Sequence, residues 1–218
     1  MKVAAVVPYK RFTRAKRRLR SRYPDADVEA LGRAMLDDVL AALVAAPHLD
    51  RVWVLTDDAE VERAARSAGA EVRIERPDPG LNPVVEAAWR ELVQAGFDAA
   101  LTVLGDLPLL RTTDVEAVLE AGETESVVIV PASDGGTAML LCRPPGVIPA
   151  HFGPASAEAH LRAARARGIE PAAVSGLAEA SRLDLDTPED ADRLLDTQAP
   201  GRTLALLRRL ARTPGVDP

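Results

Sequence analysis

Three aspartates stand where apolar segments end, and together they could bind a divalent cation. Asp106 follows the apolar run 99–104, while Asp184 and Asp186 alternate with leucines. Alternate residues of a strand point to the same face, so that pair could share one site. Carboxylates about 4 Å apart repel each other by roughly 4 kcal/mol at an effective dielectric near 20, and a cation would remove this repulsion. Oxygen ligands alone favour Mg²⁺ or Mn²⁺ over Zn²⁺.

A simpler interpretation exists for part of this set. Asp186 precedes Thr187 and Pro188, which suit the start of a helix, so it could act only as a helix cap. The spacing of Asp184 and Asp186 also fits the metal-binding Asp-x-Asp of a nucleotide-sugar glycosyltransferase. Only the three carboxylates together indicate a metal site.

A basic segment at residues 10–22 could bind a triphosphate. It holds eight of the 27 basic residues and none of the 33 acidic ones, in a chain of net charge −6. Because the chain has no G-x-G-x-x-G or Walker pattern, side chains would have to replace backbone amides around the phosphates. We expect Lys10, Arg11 and Lys16 to face the ligand. The other arginines are assigned to a solvated helix face: Arg17, Arg18, Arg20 and Arg22.

Nucleic-acid binding through the same segment is the alternative from a different functional class. It predicts salt-sensitive oligonucleotide binding. The acidic remainder of the chain and the lack of interleaved aromatic residues oppose it. We therefore expect no nucleic-acid partner. The N-terminal apolar run is too short for a signal peptide or a membrane span, so we expect no membrane partner either. The expected location is the cytoplasm.

Two further segments could hold an anion or could be plain turns. Asp134-Gly-Gly-Thr137 has two glycines that let the backbone approach a ligand, and a hydroxyl that could donate to it. Phe152-Gly-Pro-Ala-Ser156 precedes an expected helix whose start would attract anions, with Ser156 as its cap. The sequence leaves both interpretations open. The three histidines share no metal spacing, and Trp53 and Trp89 are expected in the core.

Strand and helix patterns alternate along most of the chain, which predicts an α/β fold with a mainly parallel central sheet and helices on both faces. In such sheets ligands bind beyond the carboxyl ends of the strands, where the polar motifs above fall. With 218 residues, 47% apolar and one cysteine, we expect a domain at 1–198 without disulfides and a tail at 199–218 that forms a short helix. The expected strands are 3–7, 51–56, 71–75, 99–104, 126–131, 138–142, 172–175 and one ending near 186; helices are expected from Asp27, Asp58, Asn82, Thr113, Ser156 and Pro188.

The segments together resemble one family. The resemblance rests on Val7-Pro-Tyr-Lys-Arg-Phe-Thr-Arg-Ala-Lys-Arg-Arg-Leu19, Gly80-Leu-Asn82, Gly105-Asp-Leu-Pro108, Asp134-Gly-Gly-Thr137, Phe152-Gly-x-x-Ser156 and Leu183-Asp-Leu-Asp-Thr-Pro188. These look like the motifs of the phosphoenolpyruvate and 2-phospho-L-lactate guanylyltransferases of deazaflavin coenzyme F-420 biosynthesis. The resemblance covers nearly the whole chain in order. It implies a Rossmann-like nucleotidyltransferase fold of the molybdopterin guanylyltransferase type.

The resemblance also implies substrates and residue roles. GTP would be the donor, Mg²⁺ the cofactor with Mn²⁺ as a substitute, and a small phosphorylated acid the acceptor. Metal ligands would be Asp106, Asp184 and Asp186; the acceptor would contact Thr137, Gly153 and Ser156. The nucleotide would contact Lys10, Arg11, Lys16, Leu81, Asn82 and Asp106, and catalysis would depend on Lys10, Lys16 and Asp106.

The acceptor itself is left open among phosphoenolpyruvate, 2-phospho-L-lactate and 3-phosphoglycerate. One departure from the family bears on it, because Ala138 stands where the family often has asparagine. We favour phosphoenolpyruvate. The helical tail could pack on the body or on a second subunit, as in a homodimer.

Overall fold

A computed structural model describes residues 1–10, 12, 16–73, 80–174 and 177–212. Arg11, which the sequence assigns to the nucleotide, and the end of the expected third strand lie outside these residues. The described strands form one sheet with the order β3-β2-β1-β4-β6-β5-β7. The strands are β1 Val3–Pro8, β2 Arg51–Leu55, β3 Glu71–Arg73, β4 Ala99–Val103, β5 Val127–Pro131, β6 Thr137–Cys142 and β7 Ala172–Ala173.

Helices connect these strands and cover the sheet. They are α1 Asp25–Val44, α2 Ala59–Ser67, α3 Leu81–Gln94, α4 Thr112–Thr124, α5 Ser156–Arg165, α6 Pro188–Leu195 and α7 Arg202–Arg212. Within the described part of the chain, none of them combines the length and the apolarity needed to cross a membrane.

The core lies on both faces of the sheet, as the continuous apolar strands predict. One face packs Val3, Ala5 and Val7 of β1 against α1, α2 and α4. The opposite face packs Ala4 and Val6 against α3 and α5, where the predicted core residues Trp53 and Trp89 lie. The prediction of an α/β fold with a mainly parallel sheet and helices on both faces is confirmed.

Strand β6 is the one described strand that runs against the others. It pairs antiparallel with β4 on one side and with β5 on the other. The first residue of β6, Thr137, therefore lies at the edge of the sheet where β1, β2 and β4 end. This reversal brings Asp134-Gly-Gly-Thr137 to the same edge as Asp106. The order of the strands also changes direction between β1 and β4, which is where ligands bind in such sheets.

Four expected helix starts differ from the structure, and that of α4 differs by one residue, at Thr112 instead of Thr113. Helix α1 begins at Asp25 rather than after Asp27, and α3 begins at Leu81, so Asn82 is not its cap. Helix α5 begins at Ser156 itself, and the preceding Ala155 has the left-handed φ of 54°. In both α3 and α5 the polar side chain bonds to another segment instead of capping its own helix, which local sequence patterns cannot show.

The segment 183–186 is extended but is not a strand of the sheet. Leu183 and Leu185 are buried, and one backbone bond joins the Leu185 N–H to the carbonyl of Asp106. The cap of the helix that follows, α6, is Thr187, whose hydroxyl accepts from the Asp190 N–H. The simpler interpretation of Asp186 as that cap is therefore wrong, and its carboxylate is free for another role.

Helix α7 packs against α1 through Leu204 and Leu207. A carboxylate of α1, Asp38, accepts from the backbone N–H groups of Arg202 and Thr203 at 2.9 Å each and from the Thr203 hydroxyl at 2.8 Å. Asp38 thus satisfies donors at the start of a helix 165 residues further along the chain. The division of the chain at residue 198 stays a prediction.

Candidate active site

The three aspartates singled out in the sequence lie together. Asp106 follows β4, and the extended segment 183–186 brings Asp184 and Asp186 beside it. Each contributes a carboxylate oxygen, and these oxygens lie within 4.8 Å of one another. Leu183 and Leu185, which alternate with Asp184 and Asp186, are buried. The two carboxylates therefore point to the other side of the segment, where Asp106 lies. The arrangement can bind a metal ion.

One oxygen of this cluster has an unmet bonding requirement. Oδ1 of Asp106 is buried, and no group in the described ranges bonds it. A buried anionic oxygen without a partner loses its hydration without compensation, at a cost of about 1–3 kcal/mol or more. An oxygen-seeking cation beside it would remove that cost, so these residues fit a hard divalent ion.

The neighbouring carboxylates also raise the proton affinity of Asp184. The pKa of Asp184 is raised to about 6 by burial, by Asp106 and Asp186, and by the more distant Asp134. Burial and the neighbouring negative charges therefore favour the protonated form of Asp184. A bound divalent cation would offset these charges and favour the ionised form.

Lys16 points into this cluster. Its Nζ lies 2.7 Å from Oδ2 of Asp106 and also bonds to Asp186, and only 7% of its side chain is exposed. Burial lowers the pKa of Lys16, but the two carboxylates together raise it by more than burial lowers it. The pKa of Lys16 therefore lies above its ordinary value. The backbone of Lys16 is left-handed, with φ 56° and ψ 42°. That conformation costs about 1–3 kcal/mol in a residue other than glycine and is typical of functional sites.

A first cavity of about 330 Å³ lies over the ends of β1, β2 and β4. Apolar side chains, among them Leu55, Leu81 and Val84, form one part of its wall. Lys10, Lys16 and Asp106 form another part. An apolar slot that ends in cations and carboxylates suits a flat base with a charged phosphate chain.

Asn82 does not line this first cavity, in contrast to its neighbour Leu81. Its side-chain amide donates to the carbonyl of Phe152 at 3.1 Å and accepts from the Phe152 N–H at 2.7 Å. Asn82 therefore joins the start of α3 to the loop before α5. A contact of Asn82 with the nucleotide stays a prediction.

A second cavity of about 520 Å³ adjoins the first. It lies between the β5–β6 turn and the start of α5, and Thr137, Gly153 and Ser156 contribute to its wall. Five residues line both cavities: Lys16, Leu81, Leu104, Asp106 and Asp186. The two cavities therefore meet at the carboxylates and the lysine.

A buried network of side chains supports the second cavity. The Ser156 hydroxyl lies 2.9 Å from that of Thr137, which in turn lies 3.0 Å from Nδ1 of His160. Nε2 of His160 accepts from the backbone N–H of His151 at 2.9 Å. Sequence reasoning singled out Thr137 and Ser156 but dismissed the histidine. The spacing of Ser156 and His160 by four residues on one helix face was the available signal.

The described part of the basic segment does not form one exposed patch. Lys16 is directed inward, and Arg20 and Arg22 pair with Asp25 and Asp192. Arg17 and Arg18, which the sequence assigned to a solvated face, are exposed but also line the second cavity. The described part of the segment therefore adds positive charge to the walls of the two cavities.

Comparison with known protein families shows which family the chain belongs to. A family model described as guanylyl transferase CofC like matches residues 3–213. The chain belongs to this family. The guanylyl transferase resemblance inferred from the motifs is thereby confirmed over almost the whole sequence.

Curated relatives of this guanylyltransferase carry three different names. A phosphoenolpyruvate guanylyltransferase from Rubrobacter xylanophilus is 41% identical over 89% of this chain and 94% of its own length. A 3-phospho-D-glycerate guanylyltransferase from Phenylobacterium zucineum is 40% identical, over 90% and 91%. A 2-phospho-L-lactate guanylyltransferase from Methanothermobacter thermautotrophicus is 35% identical, over 89% and 85%.

Solved structures place the guanylyltransferase in the expected fold class. A nucleotidyl transferase from Methanothermobacter superposes with a TM-score of 0.61 at 19% identity, over 95% of this chain and 99% of that one. A cytidylyltransferase from Leptospira borgpetersenii gives 0.59 at 15%, over 98% and 95%. At these identities the likeness shows the fold alone. The predicted nucleotidyltransferase fold is confirmed.

Proposed function

We propose that this guanylyltransferase transfers GMP from GTP to the phosphate of phosphoenolpyruvate, or of 2-phospho-L-lactate, and releases pyrophosphate in coenzyme F-420 biosynthesis. The observation that carries the proposal is the junction of two cavities at Lys16, Asp106 and Asp186. One cavity has the apolar wall that a base needs. The other has hydroxyl groups and a helix start that suit a small anion.

In this reaction a phosphate oxygen of the acceptor attacks the α-phosphorus of GTP in line with the leaving pyrophosphate. A phosphate monoester is already anionic at neutral pH, so no side chain has to remove a proton. Catalysis then depends on holding the two substrates in line and on neutralising charge. Lys16 lines both cavities, so it is assigned to contact the phosphates of both substrates. Lys10, exposed at the wall of the first cavity, is assigned to the triphosphate.

Asp106, Asp184 and Asp186 would hold Mg²⁺, with Mn²⁺ as a substitute. Their convergent oxygens and the unpartnered Oδ1 of Asp106 fit a hard cation with oxygen ligands. The ion would neutralise charge on the triphosphate. The side chains would hold it where the first cavity opens into the second.

The acceptor site is assigned to Thr137, Gly153 and Ser156. Gly153 has φ 140°, a backbone conformation that favours glycine, and it lies beside the two hydroxyls at the cavity wall. Ala138, the departure from the family pattern, is fully buried on the face of the sheet that packs α1, α2 and α4. It does not line the second cavity, so the acceptor proposal rests on the neighbouring hydroxyls.

The test is pyrophosphate release from GTP and Mg²⁺ with each of three acids: phosphoenolpyruvate, 2-phospho-L-lactate and 3-phosphoglycerate. We expect turnover with phosphoenolpyruvate, while ATP and CTP serve as nucleotide controls. If the enzyme prefers 3-phosphoglycerate, the proposed acceptor is wrong but the proposed type of reaction is still supported. Release of a nucleoside diphosphate from a nucleotide sugar would instead support the glycosyltransferase alternative and overturn the proposal.

A further inference from the structure

His160 is buried behind the wall of the second cavity and bonds to two different segments. It is 0% exposed, and its ring packs edge-on against Phe152 with a centroid distance of 5.0 Å. One ring nitrogen lies 3.0 Å from the Thr137 hydroxyl at the start of β6, and the other lies 2.9 Å from the His151 N–H in the loop before α5. The proposed mechanism gives this residue no role.

The bond to His151 determines which ring nitrogen carries the proton. A backbone N–H can only donate, so Nε2 of His160 must be the unprotonated, accepting nitrogen. In the neutral ring, the other nitrogen then carries the hydrogen. Nδ1–H therefore donates to the hydroxyl oxygen of Thr137.

Because Nδ1–H donates to Thr137, one hydroxyl hydrogen of the Thr137–Ser156 pair has no acceptor within the network. The hydroxyls of Thr137 and Ser156 bring one hydrogen each, and one of the two is used in the 2.9 Å bond between them. Neither hydroxyl bonds another acceptor among the described residues, and His160 accepts none because its Nδ1 is a donor. Whichever way the bond between the hydroxyls runs, one hydrogen is left over, and both side chains line the second cavity.

We propose that His160 is a positioning residue that holds the Thr137–Ser156 hydroxyl pair as a hydrogen-bond donor to an anionic oxygen of the acceptor acid. The inference rests on the proposed function, which supplies the acid. If Nδ1 of His160 were an acceptor, it would take up the remaining hydrogen, and the hydroxyl pair would present lone pairs to an anion. The fixed ring orientation thus selects an anionic group at this point of the cavity.

The tautomer can be measured without any substrate. In nitrogen-15 NMR spectra of the labelled protein, His160 is expected to show a protonated, pyrrole-type Nδ1 and an unprotonated, pyridine-type Nε2. The signals are assigned by their loss in His160→Asn. The reverse tautomer, or a doubly protonated ring at neutral pH, would overturn the inference whatever the enzymatic activity.

Two variants separate positioning from folding. His160→Leu removes the donor, while His160→Asn places an amide N–H near the position of Nδ1. We expect His160→Leu to raise the KM for the acid about 10- to 100-fold, the loss expected for a hydrogen bond to a charged group, with the KM for GTP unchanged. His160→Asn should recover most of that loss. His48→Asn, at an exposed histidine on the opposite edge of the sheet, is the matched control.

A double variant tests whether His160 acts through the hydroxyl pair. Thr137→Val alone should raise the KM for the acid by a similar factor, and adding His160→Leu should then have little further effect. Additive losses, or an increase in the KM for GTP as large as that for the acid, would overturn the inference. If the wild-type protein uses none of the acids with GTP, the proposed function has failed, whereas the NMR result still tests the state of the ring.

Discussion

The ammonium group of Lys16 and the carboxylate of Asp106 are in contact, with Nζ 2.7 Å from Oδ2, although 90 residues separate them in the sequence. The same ammonium bonds Asp186. A cation therefore lies among the oxygens that we assign to Mg²⁺. Mg²⁺ bound to these carboxylates would repel the ammonium group, so we expect metal binding to shift the lysine away from them.

Replacing Lys16 with methionine should separate these two roles. Turnover is expected to fall about 100-fold, since a cation facing the transferred phosphate is lost. The affinity for Mn²⁺, measured by calorimetry without nucleotide, should stay the same or increase because a competing charge is gone. A clear decrease in Mn²⁺ affinity would mean that Lys16 organises the carboxylates instead of competing for them.

Asp106→Asn removes the charge of a carboxylate that lines both cavities. We expect at least about 100-fold slower pyrophosphate release and weaker Mn²⁺ binding, with an unchanged circular dichroism spectrum. Glu120→Gln, an exposed acid beside the opposite edge of the sheet, is the matched control. Normal turnover of Asp106→Asn with Mg²⁺ would refute the metal assignment.

Glycine is the residue type that fits at position 105, because a side chain there would meet the ring of Tyr9. A Cβ at residue 105 would lie 2.3 Å from Cδ2 of the tyrosine ring, whose hydroxyl is held by the carbonyl of Gly32 at 2.8 Å. Gly105→Ala should therefore lower the free energy of unfolding by about 1–3 kcal/mol, measured in urea. The loss should shrink in a Tyr9→Leu background, where the clash is relieved; an equal loss in both backgrounds would exclude this contact as the cause.

The burial of His160 predicts a pH dependence of stability. Burial, together with the nearby His151 ring, lowers its pKa from 6.5 to about 4. The unfolded chain therefore takes up this proton first as the pH falls, so the stability that the neutral ring provides is complete above pH 6.5 and is lost towards pH 4. The loss amounts to at most about 3 kcal/mol.

Urea denaturation at a series of pH values checks this sign. Carboxylates titrate in part of the same range, so the comparison is between the wild type and His160→Asn. The variant should lose less stability between pH 6.5 and 4 than the wild type does. Equal slopes for the two proteins would show that the ring does not stay neutral in the folded state.

Asp38 is expected to hold α7 in place. Asp38→Ala should lower the free energy of unfolding by about 1–2 kcal/mol, as the loss of a helix cap does, and should speed proteolysis within 199–212. Asp37→Ala is the matched control, because it removes only an ion pair with the exposed Arg202 side chain. Equal effects of the two substitutions would indicate that charge, rather than capping, attaches α7.

The sequence predicted those parts of the molecule that depend on local pattern. Continuous apolar strands that alternate with helices indicated the sheet, and the alternation of leucine with aspartate at 183–186 correctly indicated that both carboxylates share a side. The predicted caps at Asn82 and Ser156 were wrong because these side chains bond to Phe152 and Thr137, partners that are distant in the sequence.

The contacts that complete the site could not be predicted in the same way. The direction of Lys16 depends on a left-handed backbone, and that of Ser156 follows another at Ala155, the two described non-glycine residues with positive φ. Neither conformation is favoured by its residue type. The role of His160 depends on which ring nitrogen faces a backbone N–H, which only the folded arrangement defines.

The antiparallel course of β6 brings residues from the later part of the chain to the edge of the sheet where β1, β2 and β4 end, so two parts of the chain line the two cavities. Apart from Arg17 and Arg18, the residues found only in the second cavity lie after residue 106, whereas those found only in the first cavity lie before it. Under the proposed assignment of substrates to the cavities, substitutions that adapt the enzyme to another acid can accumulate in the later part without changing the residues that line only the first cavity. This separation offers a physical reason why similar relatives bear the names of three different acids, and it makes residues 132–156 the segment to exchange between them.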